Sequence, residues 1–168
     1  MDRQTEQQFL KLTEQHKGIL HKVSRIYAES LQDREDLRQE ILIQLWKSYG
    51  TFRAESGFAT WMYRVAVNTA ITYFKKEQQY SSRHSDTTIP EKLSQDAPDA
   101  AEGQLRIFYK AVLHLNPIEK AIIFYFMEGL SHREIAGNLG LTEGNARVKL
   151  NRIKEKIQYI IKQNGYEL

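Results

Sequence analysis

Cysteine is absent from this 168-residue chain, and proline occurs only three times. Without a thiol the chain can form no disulfide, carry no cysteine nucleophile and build no cysteine-ligated zinc or iron–sulfur site. Long apolar runs are missing as well. The longest, Ala121 to Met127, has seven residues, far short of the ~20 that span a bilayer. Met1–Gln8 is polar and has no secretory apolar segment. We therefore expect a cytoplasmic protein without direct membrane insertion.

Patterns of catalytic residues are also lacking. The five histidines form no His-Glu-x-x-His or Glu-x-x-His pair, and no nucleophile motif is present. The acidic residues between positions 33 and 40 do not have the spacing of a calcium loop. We expect no enzyme, no cofactor, no metal and no small-molecule substrate. An all-helical enzyme is the weakest of the alternatives.

Charge is unevenly distributed along the chain. Residues 1–79 carry a net charge of +2, residues 80–104 of −3, and residues 105–168 of +4. The middle segment breaks the apolar periodicity and contains two of the three prolines. The sequence therefore predicts two small domains, 1–79 and 105–168, joined by an acidic linker, 80–104. Two basic lobes are compatible with nucleic acid at both ends, although solvated basic faces give the same pattern.

Apolar residues recur every three or four positions in the first lobe, which predicts helices. One long helix carries the stripe from Phe9 to Tyr27, and Asp33 is the predicted N-cap of the next. A loop with two glycines covers Tyr49–Gly57. A third helix is predicted from Phe58 to Gln79, and it is apolar except for one polar stripe, made of Arg64, Asn68, Thr72, Lys75 and Gln79.

Helix-capping signals divide the second lobe. Asn116 and Glu119 form a capping box around Pro117, and Ser131 and Glu134 form another. Both boxes predict helix starts. Since no segment has the pattern of a strand, the predicted fold class is all-α.

A helix-turn-helix is predicted after the second box. A short helix ends near Asn138, Gly140 makes the turn, and Thr142 caps a long helix that continues to Gln163. The buried stripe of the long helix comprises Ala146, Leu150, Ile153, Ile157, Ile160 and Ile161. Its outward face comprises Gly144, Val148, Asn151, Arg152 and Glu155, flanked by Arg147 and Lys154. Such a face suits major-groove bases and phosphates, and the alternative is a helical hairpin with a solvated basic face.

Four stretches in order resemble the extracytoplasmic-function sigma factors over nearly the whole chain. They are DREDLRQEILIQLW (33–46), FRAESGFATWMYRVAVNTAITYFKK (52–76), the acidic linker, and LNPIEKAIIFYFMEGLSHREIAGNLGLTEGNARVKLNRIKEKI (115–157). The resemblance implies a sigma factor that directs bacterial core RNA polymerase to specific promoters and melts them. A two-domain transcription regulator that acts without polymerase is the runner-up, and it leaves 33–46 and 52–76 unexplained.

The resemblance also implies roles for residues in the first lobe. The polymerase-binding surface corresponds to Asp36, Leu37, Gln39 and Glu40, where the alternative is a solvated acidic helix start. The loop Phe52–Gly57 corresponds to the specificity loop that holds a flipped minus-ten base. The minus-ten residues are Phe52, Arg53, Glu55, Ser56, Arg64 and Asn68. Trp61 is interpreted as core packing rather than base stacking.

In the second lobe the resemblance implies a helix that reads the minus-thirty-five element. Its residues are Arg147, Val148, Lys149, Asn151 and Arg152. The sequence departs from the family pattern at Asn145, Ala146 and Val148, which leaves the promoter sequence open; Val148 can contact a thymine methyl. The acidic linker implies occupancy of the RNA-exit path, or else a plain tether. An anti-sigma factor is the expected further partner.

Overall fold

The structure, a computed structural model, describes residues 2–83 and 100–164. Within these ranges every regular element is helical, which confirms the predicted all-α class. The helices are α1 Arg3–Gln15, α2 Lys17–Tyr27, α3 Leu31–Ser48, a 3-10 turn Tyr49–Thr51, α4 Phe58–Arg83, α5 Ala100–Leu113, α6 Pro117–Met127, α7 His132–Leu139 and α8 Glu143–Gln163. None of them is long and apolar enough to cross a membrane.

The chain divides into two compact units, Met1–Lys76 and Glu77–Leu168, called here the first and second unit. Most of the predicted linker 80–104 lies outside the described residues, and its two ends are helical. Helix α4 continues past the predicted end at Gln79 to Arg83, because no proline or glycine follows to stop it. Helix α5 begins at Ala100, where two alanines favour helix.

The single long helix predicted for the stripe from Phe9 to Tyr27 is wrong, because the helix is interrupted at His16. Its backbone, with φ −113° and ψ 16°, ends α1 and precedes α2. The His16 N–H is shared between the carbonyls of Leu12 and Thr13, both 3.2 Å away. Only one residue separates the two helices, so the apolar stripe continues across the break. The spacing of the apolar residues therefore gives no sign of the interruption between α1 and α2.

The predicted N-cap of α3 is also wrong, by one turn. Ser30 caps the helix, and its Oγ accepts the backbone N–H of Asp33 at 3.0 Å. The same hydroxyl lies 2.7 Å from the Asp33 carboxylate. Asp33 therefore occupies the third position of the first turn, where its negative charge is favoured by the helix dipole. Serine and aspartate are both common N-caps, and the residue types alone did not decide between them.

Aromatic rings pack together in the first unit, beside a core of buried aliphatic residues. This aromatic cluster consists of Phe9, Trp46, Tyr49, Phe52, Phe58 and Trp61. Phe9 of α1 makes edge contacts to Trp46 and Tyr49, with ring centroids 5.0 and 5.1 Å apart. Centroid separations of this size are typical of favourable aromatic pairs. The cluster thus joins α1, the end of α3 and the start of α4.

The capping boxes predicted for the second unit are confirmed. Asn116 accepts from the N–H of Glu119 at 2.9 Å and donates its own N–H to the Glu119 carboxylate at 3.0 Å. Ser131 and Glu134 form the same reciprocal pair at the start of α7. The hydrogen bond from the Ser131 N–H lowers the pKa of the Glu134 carboxyl. Two helix starts are therefore fixed by local sequence.

The predicted turn at Gly140 is confirmed as well. Gly129 has φ +84°, and Gly140 has φ +68° and ends α7. The N–H of Leu141 then bonds to the carbonyl of Ala136 at 2.9 Å, which closes the turn of the helix-turn-helix. Thr142 caps α8 by accepting the N–H of Asn145 at 3.2 Å. Of the predicted stripe in α8 only Ile160 is half-buried rather than buried.

Glu119 has a second partner besides Asn116, which capping alone did not predict. Lys156 of α8 donates to the carboxylate oxygen that also accepts from Asn116, at 2.9 Å. One carboxylate therefore caps α6 and ties it to α8. Its neighbour Lys120 is buried, and burial lowers the pKa of this lysine to about 8.

We expect Glu119→Gln to lower the free energy of unfolding by ~0.5–1 kcal/mol more than Glu134→Gln does. Both variants keep an oxygen for the capping box, but only the first removes an ion pair between helices. Chemical denaturation of the full chain, followed by far-ultraviolet circular dichroism, measures the difference. A double-mutant cycle with Lys156→Gln should give a matching coupling energy, and a coupling of zero would contradict the expectation.

Candidate nucleic-acid and polymerase interface

A polar row runs along α3, from Gln32 through Asp36 and Glu40 to Gln44. The side-chain amide of Gln32 donates to Asp36 at 2.9 Å, and that of Gln44 donates to Glu40 at 2.8 Å. Residues four apart lie on one helix face, so the two carboxylates are neighbours. Both are half-buried, and nearby Gln39 is exposed. The row presents two orientated negative charges.

Leu37, predicted to share this surface, does not belong to it. Its side chain is fully buried in the first unit. One residue step turns a helix by about 100°, which carries Leu37 away from Asp36 and into the core. The residue supports α3 from beneath, and the candidate surface consists of Asp36, Gln39 and Glu40.

The predicted specificity loop leaves the 3-10 turn at Phe52 and enters α4 at Phe58. Phe52 is half-buried, with its ring 5.1 Å from Trp61 and 5.7 Å from Phe58. It therefore anchors the start of the loop, while the residue remains partly accessible. Trp61 packs as interpreted from the sequence. The remaining predicted loop residues, Arg53, Glu55 and Ser56, are exposed.

The polar stripe of α4 is exposed over its whole predicted length, including Arg64 and Asn68. Thr72 donates its hydroxyl to the carbonyl of Asn68 at 3.0 Å, so that its polar group turns back to the helix. Ten residues separate Phe58 from Asn68, which is about 15 Å along the helix axis. The loop and the Asn68 amide are thus both exposed, one at the start of α4 and the other almost three turns along it.

The outward face of α8 is exposed as the sequence predicts. Val148, Asn151 and Arg152 are exposed, while Lys149 is half-buried on the flank. Arg147 is exposed and forms an ion pair with Glu143 one turn earlier, at 3.6 Å. This i,i+4 pair of opposite charges is visible in the sequence. Exposed pairs of this kind are weak, which leaves the guanidinium available to another partner.

Lys154 is engaged within the protein. Its ammonium group lies 3.9 Å from the ring centroid of Phe126 on α6, a cation–π contact. Sequence spacing placed Lys154 on the flank of the reading face but could not reveal a ring from another helix. A phosphate contact by this lysine would compete with Phe126.

Comparison with known families identifies the class of protein that these two units form, a sigma-70-type initiation factor. The family Sigma-70 region 2 matches residues 12–80, and Sigma-70, region 4 matches residues 105–157. These matches, together with the relatives described in the next paragraph, show that the chain belongs to the extracytoplasmic-function sigma factor family. It is a promoter-specific initiation factor for RNA polymerase and not an enzyme.

Relatives show the extent of the similarity. The extracytoplasmic-function sigma-E factor of Haemophilus influenzae is 30% identical over 142 residues, covering 77% of this chain and 75% of the relative. The RNA polymerase sigma-H factor of Pseudomonas aeruginosa is 27% identical over 160 residues, with 88% and 82% covered. SigM of Mycobacterium tuberculosis is 21% identical over 155 residues, with 91% and 76% covered.

Solved structures share the fold. The sigma factor RpoE of Bartonella quintana, solved with the anti-sigma factor NepR, matches with a TM-score of 0.65 and 19% identity, covering 96% of this chain and 98% of that one. CnrH in complex with the cytosolic domain of CnrY matches with a TM-score of 0.63 and 18% identity, covering 94% and 90%.

Proposed function

We propose that the first unit docks on core RNA polymerase through Asp36, Gln39 and Glu40. Carboxylates held by neighbouring amides are suited to charge-assisted bonds with arginines. The two half-buried side chains are already fixed by Gln32 and Gln44, so little further ordering is needed on binding. The domain limits 1–79 and 105–168, with the linker between them, are part of the same proposal.

We further propose that the minus-ten element is bound by the exposed loop together with Arg64 and Asn68 of α4. Arg53, Glu55 and Ser56 provide charged and hydroxyl groups at the loop, and Arg64 and Asn68 continue the surface along the helix. An amide and a guanidinium suit base edges and phosphates. Phe52 supports the loop from within the aromatic cluster.

The second unit reads the minus-thirty-five element through α8 in this proposal. The observation that carries it is the exposed face formed by Arg147, Val148, Asn151 and Arg152 on a helix whose start is fixed by Thr142 and Gly140. Recognition helices contact bases with their N-terminal turns. Lys149, on the flank, is suited to a phosphate. The weak net charge of the chain gives little unaided affinity for DNA, so polymerase binds first.

An anti-sigma factor is the proposed regulator. The sigma factor RpoE of Bartonella quintana was solved with the anti-sigma factor NepR, and CnrH was solved with the cytosolic domain of CnrY. We place the action of this chain in the cytoplasm, where bacterial RNA polymerase works.

The reading role of α8 is tested with Arg152→Ala and Arg152→Lys. Arginine bonds to guanine with two parallel N–H groups, a geometry that lysine cannot copy. We expect both variants to lose roughly 1–3 kcal/mol of discrimination between the correct and an altered minus-thirty-five base. Only Arg152→Ala should also weaken the salt dependence of binding, because lysine keeps the charge. Binding of holoenzyme to the two DNA sequences at several salt concentrations measures both effects. Equal weakening on all sequences would remove Arg152 from the reading face.

A further inference from the structure

The loop between the 3-10 turn and α4 is fastened at both ends. The Phe52 and Phe58 rings pack edge to face, with centroids 5.7 Å apart and planes at 89°. The N–H of Phe52 bonds to the carbonyl of Tyr49 at 3.0 Å, and the N–H of Trp61 bonds to that of Gly57 at 3.2 Å. Five exposed residues, 53–57, therefore span a short gap between two packed rings.

Ala54 lies at the turn of this loop in a left-handed conformation. Its φ is +56°, and no other residue except glycine has a positive φ in the described ranges 2–83 and 100–164. Alanine is strained there, because its Cβ crowds the following carbonyl oxygen. Such a residue persists only where the surrounding structure determines its conformation, and residues of this kind concentrate at functional sites. The packed rings at the two ends of the loop hold Ala54 in this conformation.

We propose that Ala54 is a positioning residue that preforms the loop for the minus-ten base. This inference rests on the function proposed above. The left-handed turn lets the chain reverse between the two anchors while Arg53, Glu55 and Ser56 stay exposed. A loop that already has its bound shape loses less conformational freedom when a base enters it. Ala54 acts through these neighbours and touches no base itself.

The methyl group distinguishes alanine from the residues that reach this conformation more easily. Glycine adopts positive φ without strain, but it also populates many other conformations. Asparagine tolerates the left-handed region and keeps a side chain. Valine, which is β-branched, is excluded from it. A series of variants at position 54 therefore separates the effect of the loop's conformation from the effect of its flexibility.

The test uses the full chain reconstituted with core RNA polymerase, on a promoter identified by sequencing the start sites of wild-type transcripts. Permanganate reactivity of unpaired thymines measures open complexes, and gel retardation at low temperature measures closed complexes. We expect Ala54→Val to form roughly tenfold fewer open complexes, in keeping with the size of left-handed strain. Ala54→Asn should stay within about twofold of wild type, and Ala54→Gly should fall between them. Closed complexes should be unchanged in all three.

Wild-type opening by Ala54→Val, or a loss with Ala54→Asn as large as with Ala54→Val, would overturn the proposal. If Ala54→Val fails to fold, Ala54→Gly decides, since it must open the promoter less well than Ala54→Asn. Asn68→Ala is measured in parallel. A loss of open complexes in Asn68→Ala, without any loss in the Ala54 variants, would contradict the role proposed for Ala54 but would still support the minus-ten assignment. No loss in either would overturn both.

Discussion

Replacing Asp36 and Glu40 with arginine is expected to abolish association with core RNA polymerase. Each reversal removes a carboxylate from the row on α3 and puts a cation in its place. Truncating one member of a buried charge pair at an interface costs about 2–5 kcal/mol, so two reversals should lower affinity by at least about a thousandfold. Co-purification of core enzyme with the tagged chain measures the loss.

The neutral double variant Asp36→Asn with Glu40→Gln shows how much of this loss comes from removing the negative charges alone. It keeps the shapes and the amide contacts of the row, and it should bind core enzyme with an intermediate affinity. The matched control is Glu6→Arg with Glu29→Arg, which makes the same change in charge at exposed positions outside the row. Helical circular dichroism should be unchanged in every variant. Undiminished association in the Asp36 and Glu40 reversal would remove this surface from the proposal.

Asn68→Ala is expected to block promoter opening while sparing the closed complex. Extrusion of a base from the stack costs a few kcal/mol, which must be offset by contacts to the extruded base. Losing the Asn68 amide should therefore lower open-complex formation by roughly 10- to 100-fold, as expected for about 1–3 kcal/mol. Permanganate reactivity measures the loss, and the second unit and polymerase should still hold the duplex.

A promoter that is already mismatched across the minus-ten element should recover much of this loss, because the cost of unpairing has been removed. Thr72→Ala is the matched control, since Thr72 lies one turn further along the same stripe but bonds its hydroxyl back to the helix. It should open the promoter as wild type does. If the premelted template rescues nothing, Asn68 is structural and the base is bound elsewhere.

Local signals explain what could be predicted from the sequence. The capping boxes at Asn116 and Ser131, and the turn at Gly140, depend on residues within four positions of each other. The same holds for the exposed face of α8, which follows from the phase of its apolar stripe. These features fix the helix-turn-helix, and with it the orientation of Arg152. Each of them was confirmed in the structure.

Contacts between distant segments explain what could not be predicted. Lys156 reaches Glu119 across 37 positions of sequence, and Lys154 reaches a ring on another helix. Phe52 was assigned to DNA because its loop matches a family motif, and the sequence could not show that its half-buried ring packs against Phe58 and Trp61. Leu37 was assigned to a surface by the same route. A motif identifies a segment, whereas the direction of each side chain depends on the packing around it.

The aromatic cluster has an optical consequence. Trp46 and Trp61 are the two tryptophans of the chain, and both lie in this cluster. Tryptophan fluorescence of the free chain therefore arises entirely in the first unit, while the second unit contributes tyrosine emission. Trp61 lies 5.1 Å from Phe52 at the base of the specificity loop. Its emission provides an intrinsic, label-free signal of how firmly that loop is anchored.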